Sequence, residues 1–135
     1  MSDLAIKAAL EVRLATITPA LATAQENGNY VPVIGTPYQR VNFLPAEPEN
    51  PSIGASLYRE QGIFQVTLLY PTNAGAVPAR TRAQLIRSAF PRGMTLSSGG
   101  VTVHIDRTPT IERGTTEADR YAVVVRIRYH ANIFT

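Results

Sequence analysis

The clearest pattern in the chain lies near its C-terminus, where apolar or aromatic residues occupy every second position over residues 121–129. They are Tyr121, Val123, Val125, Ile127 and Tyr129. A period of two is that of a β-strand with one buried face. The opposite face carries Arg126, Arg128 and His130, a basic stripe that could meet phosphates, an acidic subunit or only water. We therefore predict a long final strand with one apolar face and one basic face.

The N-terminal segment follows the period of an α-helix instead. Ile6, Leu10, Leu14 and Ile17 recur at spacings of four, four and three, which predicts an amphipathic helix over about residues 2–16. Pro19 is expected to end or kink this helix. Residues 20–25 are expected to add a further helical turn before the polar residues 26–29 break the pattern.

A second helix is predicted in the middle of the chain, from Val77 to Ala89. Ala79, Ala83, Ile86 and Phe90 mark one apolar face, and Pro78 suits a first helical turn. The sequence Pro91-Arg92-Gly93 then ends the pattern. Three arginines flank the apolar face, Arg80 and Arg87 on one side and Arg82 on the other.

The remaining segments have the composition of strands and turns. Strands are predicted over residues 38–44, 55–60, 63–70, 101–106 and 108–113, with a tight turn at Gln61-Gly62 and a polar turn over 114–119. Residues 45–51 contain three prolines, which cannot donate ladder hydrogen bonds, so this segment is predicted to be an exposed arm or loop. Connections between neighbouring strands are too short for parallel crossovers. The predicted fold is therefore α+β, a mostly antiparallel sheet packed by two helices, with residues 1–135 forming one domain.

Composition narrows the classes of function. The chain has no cysteine, which removes disulfides, thiolate nucleophiles and sulfur-ligated zinc, and favours synthesis in a reducing compartment, the cytosol. No apolar run approaches the roughly 20 residues needed to span a bilayer, so no membrane partner is expected. The net charge of +3 rests on twelve arginines and only one lysine. This preference for arginine arises either because particular sites need a planar side chain with several donors or because of the composition of the genome. The arginines are dispersed, whereas phosphate binders usually cluster them.

No pattern of residues indicates catalysis, a metal or a cofactor. His104 and Asp106 share a strand face, yet zinc or iron would need a third donor such as His130, and no spacing points to it. A solvated strand face is the more common role for such a pair. The segment Ser97-Ser98-Gly99-Gly100 precedes a strand and has no nearby lysine, so we interpret it as a flexible turn and not as a phosphate loop.

Taken in order, the segments resemble the small tail terminator proteins, also called minor tail proteins, of long-tailed bacteriophages. The resemblance rests on the first helix and on the stretches PYQRVNFLP at 37–45, YREQGIFQV at 58–66, LYP at 69–71, FPRG at 90–93, GVTV at 100–103 and the closing strand 121–129. Such a family implies a ring of identical subunits, usually six, that binds the end of the tail tube, stops its elongation and offers its far face to the head connector. The resemblance also implies a place at the head-proximal end of the virion tail, with DNA passing through the ring without specific recognition.

A head-to-tail ring requires two different patches on each subunit. Our candidates are Pro45 and Pro48 of the arm with Tyr58 and Arg59 on one side, and Arg80, Arg82 and Arg87 on another. Solvated helix edges are the alternative role for these three arginines.

Three other functions stay open at this stage: a head-completion or neck protein, a small basic nucleic-acid-binding module, and a metal-dependent hydrolase using His104 and Asp106. Salt dependence separates ring closure from phosphate-dominated binding.

Overall fold

A computed structural model describes residues 2–18, 21–25, 28, 31, 35–50, 57–72, 75–117 and 120–134. Within them lie two helices, α1 (Ser2–Ala15) and α2 (Val77–Ala89), and eight strands. The strands are β1 (Ala22–Ala24), β2 (Tyr38–Pro45), β3 (Leu57–Pro71), β4 (Thr95–Ser98), β5 (Val101–Ile105), β6 (Thr110–Ile111), β7 (Thr115–Glu117) and β8 (Arg120–Phe134). The α+β class predicted from the sequence is confirmed.

One sheet contains all eight of these strands, with β3 and β8 at its centre. Its order is β1-β2-β3-β8-β5-β4, and the short strands β6 and β7 also pair with β8. The two central strands are antiparallel and paired along their whole length, from Leu57 opposite Phe134 to Pro71 opposite Arg120. Among the described strands, β1 and β2 form the one parallel pair. The prediction of a mostly antiparallel sheet is therefore correct.

Both helices pack on the same face of the sheet. The stripe predicted on α1, Ile6, Leu10, Leu14 and Ile17, is buried, as are the four apolar residues predicted for α2, Ala79, Ala83, Ile86 and Phe90. They join alternate residues of the central strands in one core, which includes Phe64, Val66 and Leu68 of β3 and Val123, Val125 and Ile127 of β8. The period-two and period-3.6 patterns thus identify the two sides of this core.

The turn predicted at Gln61-Gly62 is wrong, because β3 runs straight through it. Gly62 pairs with Tyr129 on one side and with Pro45 on the other, and its φ is not positive. A Cβ at Gly62 would lie 2.5 Å from the Leu44 carbonyl oxygen and 2.7 Å from the Tyr129 hydroxyl. Glycine is needed here because neighbouring atoms approach the backbone closely, and not because the chain reverses.

Three smaller predictions also need correction. Residues 22–24 form β1 and not a helical turn, since Thr23 pairs with Gln39 and its hydroxyl accepts a hydrogen bond from the Gln39 amide at 2.9 Å. The polar turn predicted over 114–119 contains β7, and the predicted strand at 108–113 is only Thr110–Ile111. The predictions for Pro19, Ala20 and Pro51 concern positions outside the described residues.

The segment predicted as a flexible turn at 97–100 is half strand. Ser97 and Ser98 belong to β4, and only Gly99 and Gly100 connect it to β5. Both glycines have positive φ, 55° and 80°, which is the conformation that a two-residue hairpin turn requires.

The opposite face of the sheet is polar over most of its area. A small apolar cluster of Tyr38, Leu69 and Ala122 lies there, and the Arg120 guanidinium stacks on the Tyr38 ring at 4.9 Å. Beyond this cluster the face carries Arg126, Arg128 and His130, as the alternation predicts. Neither described helix covers these side chains.

Candidate assembly surfaces

The proline arm is an ordered, exposed edge of the sheet. After β2 ends at Pro45, the arm runs beside the first half of β3, and residues 46–50 are all exposed. The Ala46 amide donates to the Gln61 carbonyl at 2.8 Å, and Glu49 and Arg59 exchange two backbone hydrogen bonds of 2.9 and 2.7 Å. The Gln61 side-chain amide adds a hydrogen bond to the Glu47 carbonyl at 3.2 Å. The arm is therefore held in place by backbone contacts, and its side chains remain free to meet another surface.

The first predicted patch is brought together by these contacts. Pro45 and Pro48 lie in the arm, and Arg59 lies on the strand that the arm contacts. Arg59 also donates from Nε to the Asn132 side-chain oxygen at 3.1 Å, which ties it to β8. Tyr58 neighbours Arg59 and is half-buried. The role of this patch in an interface stays a prediction.

Two of the predicted helix arginines bind the loop that carries β6. Arg80 donates from Nη1 to the Glu112 carbonyl at 3.3 Å, and Arg87 donates from Nε to the Pro109 carbonyl at 3.0 Å. These hydrogen bonds fasten residues 109–112 to α2. Arg80 is exposed and Arg87 is half-buried, so both retain some accessible surface.

Arg82 does not form an exposed patch with them. Its side chain is only 4% exposed and lies near Tyr70 in the interior. Burial lowers the pKa of Arg82, an effect that the neighbouring Tyr70 opposes. Burial likewise raises the pKa of Tyr70, and Arg82 opposes that shift. The expectation that this arginine is exposed is wrong because the period of α2 turns position 82 toward the sheet, beside Ala83 and Ile86.

The structure brings His104, His130 and Asp106 together. Nδ1 of His130 contacts Oδ1 of Asp106, and the two histidine rings stack with centroids 4.8 Å apart and planes 13° from parallel. In-plane lone pairs of two nearly parallel rings do not converge on one point. Within the described residues, no group of three or more His, Asp or Glu side chains is arranged to hold a metal ion.

The basic stripe on β8 is partly neutralised. Arg126 pairs with Glu112 at 3.3 Å, and both side chains are more than a third exposed, so this ion pair contributes at most about 1 kcal/mol. Arg128 is exposed one position further along the same face.

A polar cleft that the sequence did not indicate lies beyond the end of β5. It has a volume of about 570 Å³ and is lined by Arg92, Asp106, Arg107, Thr108 and Thr110. The Gly93 amide donates to the Ile105 carbonyl at 2.8 Å, so the β4–β5 hairpin brings Arg92 and Arg107 to one place. The sequence alone does not predict this cleft, because its position depends on which residues of β4 and β5 pair in the hairpin.

These features define a small α+β protein with two helices on one face of a mostly antiparallel sheet and charged groups along its edges. Comparison with known proteins agrees with this class. The model of the phage tail terminator protein family matches residues 5–129, and the chain belongs to that family. The protein is therefore a structural component of a phage tail, which associates with tail and head components in the virion.

Solved structures support the same fold. One of them superposes with a TM-score of 0.79 at 28% sequence identity, and the alignment covers 100% of this chain and 99% of the other. No curated protein matches the chain. Neither helix in the part of the chain described above is long and apolar enough to cross a membrane.

Proposed function

We propose that this protein closes into a ring, most simply of six identical subunits, on the head-proximal end of the tail tube. There it stops elongation of the tube and provides the surface that joins the head connector. The observation that carries the proposal is the family match over residues 5–129, which includes most of α1 and β8 and all the described elements between them. Each of these steps is a binding event whose specificity comes from shape and charge complementarity, so no catalytic group is required.

DNA would pass through the centre of this ring without sequence-specific contacts. The uncovered face of the sheet supports this part of the proposal, since Arg126 and Arg128 are exposed on it and could attract phosphates weakly. The exposed aromatic side chains that would stack bases are absent from the described part of this face.

Tube assembly in the presence of the purified chain tests the proposal directly. The tube protein of the same phage is polymerised with increasing amounts of the chain, and tube lengths are measured by negative-stain microscopy. We expect shorter tubes with extra density at one end, and native mass spectrometry should give a closed species of six chain masses. Unchanged tube lengths together with binding to isolated head connector would favour a neck protein instead.

The nucleic-acid alternative makes a different prediction. If phosphate contacts by the β8 stripe dominate binding, Arg128→Gln should lower the salt dependence of DNA affinity by about 0.9 in log–log slope. Arg113→Gln, at another exposed arginine, removes the same charge elsewhere and serves as the control. Equal, small effects of both variants would leave ring assembly as the better account.

A further inference from the structure

The proline arm and the polar cleft lie at the same position along the strands of the sheet, on opposite sides of the central strands β3 and β8. Pro45 pairs with Gly62, Gly62 with Tyr129, and Tyr129 with Ile105, so these four residues form one row across four strands. Three strand spacings of roughly 4.8 Å separate the ends of the row by about 14 Å. The arm leaves the row at Pro45, and the cleft begins just beyond Ile105.

The arm presents two carboxylates that no cation in the described chain neutralises. Glu47 and Glu49 are both exposed, and neither takes part in a described ion pair. The backbone hydrogen bonds to β3 fix the segment between them, so little conformational entropy remains to be lost when a partner binds.

The cleft presents the complementary charge. Arg92 and Arg107 are exposed at its walls, and neither guanidinium has an ion-pair partner among the described residues. Thr108 and Thr110 add hydroxyl donors, while the Asp106 carboxylate at the same cleft contacts His130. Guanidinium groups form paired, charge-assisted hydrogen bonds with carboxylates, so such a cleft is suited to bind Asp or Glu side chains.

The arm does not fill the cleft of its own chain, since among the described residues no ion pair joins Glu47 or Glu49 to Arg92 or Arg107. It runs along β3 on the side of β2, so β3 and β8 stand between its carboxylates and the two arginines. A second copy of the chain, placed beside the first and related to it by the rotation of the ring, brings its arm toward this cleft. Such a contact is heterologous, and it closes a ring when its rotation divides a full turn.

We propose that the arm of one subunit inserts the carboxylates of Glu47 and Glu49 into the cleft of the next subunit, where Arg92 and Arg107 bind them. This inference rests on the proposed ring and identifies the contact that closes it. It differs from the second patch predicted from the sequence, since Arg80 and Arg87 bind their own chain and Arg82 is buried.

Charge reversal with rescue by mixing tests the contact. One variant carries Glu47→Arg with Glu49→Arg and has a basic arm and a basic cleft. The other carries Arg92→Glu with Arg107→Glu and has an acidic arm and an acidic cleft. Each alone should assemble at least tenfold more weakly than the wild type, because like charges meet at every contact. Mixed in equal amounts, they should regain assembly as alternating rings, because each arm then meets a cleft of opposite charge.

Matched controls separate this contact from general charge effects and from misfolding. Arg113→Glu changes an exposed arginine outside the cleft and should leave assembly unchanged. Circular dichroism and urea unfolding check that each variant is folded. If the wild type closes its ring, but both reversals assemble normally or mixing rescues nothing, the proposed contact is overturned while the ring stands.

A cysteine pair tests the same contact without depending on ring closure. Because the chain has no cysteine, Glu49→Cys and Arg107→Cys can be introduced on separate chains, one carrying a size tag. Under mild oxidation at high concentration we expect a mixed dimer of the two, and none when Arg113→Cys replaces Arg107→Cys. A mixed dimer from a protein that forms no ring supports the contact and counts against the ring. Equal crosslinking of both pairs, or none of either, overturns the contact.

Discussion

Gly62 provides the sharpest test of how the central strands pack. In Gly62→Ala, the new Cβ would lie 2.5 Å from the Leu44 carbonyl oxygen, 2.7 Å from the Tyr129 hydroxyl and 2.8 Å from the Pro45 Cα. Two of these three atoms are backbone and cannot swing aside, and the third belongs to a tyrosine that is 1% exposed. Overpacking of this kind costs about 1–3 kcal/mol.

The smaller conformational freedom of alanine offsets part of that cost, by roughly 0.5–1 kcal/mol in a strand. We therefore expect Gly62→Ala to lower the free energy of unfolding by about 1–2 kcal/mol. With a urea m-value of about 2 kcal/mol per M, this corresponds to a fall of about 0.5–1 M in the unfolding midpoint. Equilibrium urea unfolding followed by circular dichroism measures it.

Gly100 is the matched control, because its requirement for glycine has a different cause. It has a φ of 80° and no atom near the position of a Cβ. Asparagine tolerates that backbone conformation better than alanine does, so Gly100→Asn should cost less than Gly100→Ala. At Gly62 the order should reverse, since asparagine is larger and the obstacle is steric. If Gly62→Ala is neutral, or if Gly62→Asn is the milder change, the close packing is refuted and the turn predicted from the sequence regains support.

Two further predictions concern the links between elements. Arg13 donates from Nε to the Ala89 carbonyl at the end of α2, at 2.8 Å, so Arg13→Met should lower the free energy of unfolding by about 1 kcal/mol. Lys7→Met removes only a surface ion pair with Glu11 and should lower the free energy of unfolding by about 0.3–0.5 kcal/mol. If the two variants lose equal stability in urea unfolding, the hydrogen bond from Arg13 to Ala89 does not have the proposed role. Because the pKa of Tyr70 is raised in the folded state, the folded protein holds the phenol proton more tightly than the unfolded chain does. The contribution of this difference to the free energy of unfolding is complete below the unfolded pKa of 10.0 and is lost as the pH rises through the folded pKa. Tyr70→Phe should therefore lose less stability than the wild type above pH 10.0, and parallel declines in the unfolding midpoint would count against this explanation.

The elements that the sequence predicted well are those whose pattern is set by one buried face. α2 begins and ends where the helix-compatible Pro78 and the sequence Pro91-Arg92-Gly93 indicate, and the four residues predicted for its apolar face are buried. The alternation in β8 likewise identifies both faces of that strand. For both elements, one local period and one pair of boundary residues are enough to predict the element and its buried face. This is because the surface against which that face packs is simply apolar.

The failures share a cause, which is dependence on partners distant in sequence. Gly62 has the local signature of a turn, yet its conformation is decided by Tyr129 and Leu44 on the two neighbouring strands. Residues 22–24 have weak preferences of their own and become a strand because β2 offers an open edge. The cleft depends on the hairpin register that joins Arg92 to Arg107, so the spacing of fifteen residues between them carries no signal by itself.

The row from Pro45 to Ile105 connects the packing of the core with the proposed assembly contact. Tyr129 lies over Gly62 and stacks on Phe43, with ring centroids 5.4 Å apart, which fixes the end of β2 against the central strands. The arm begins at that end, and the cleft begins where β5 leaves β8 in the same row. A side chain at Gly62 would push first against Leu44 and Pro45, the residues from which the arm starts. The absence of a side chain at Gly62 thus keeps the start of the arm close to the central strands, in the row where the proposed contact between subunits would form.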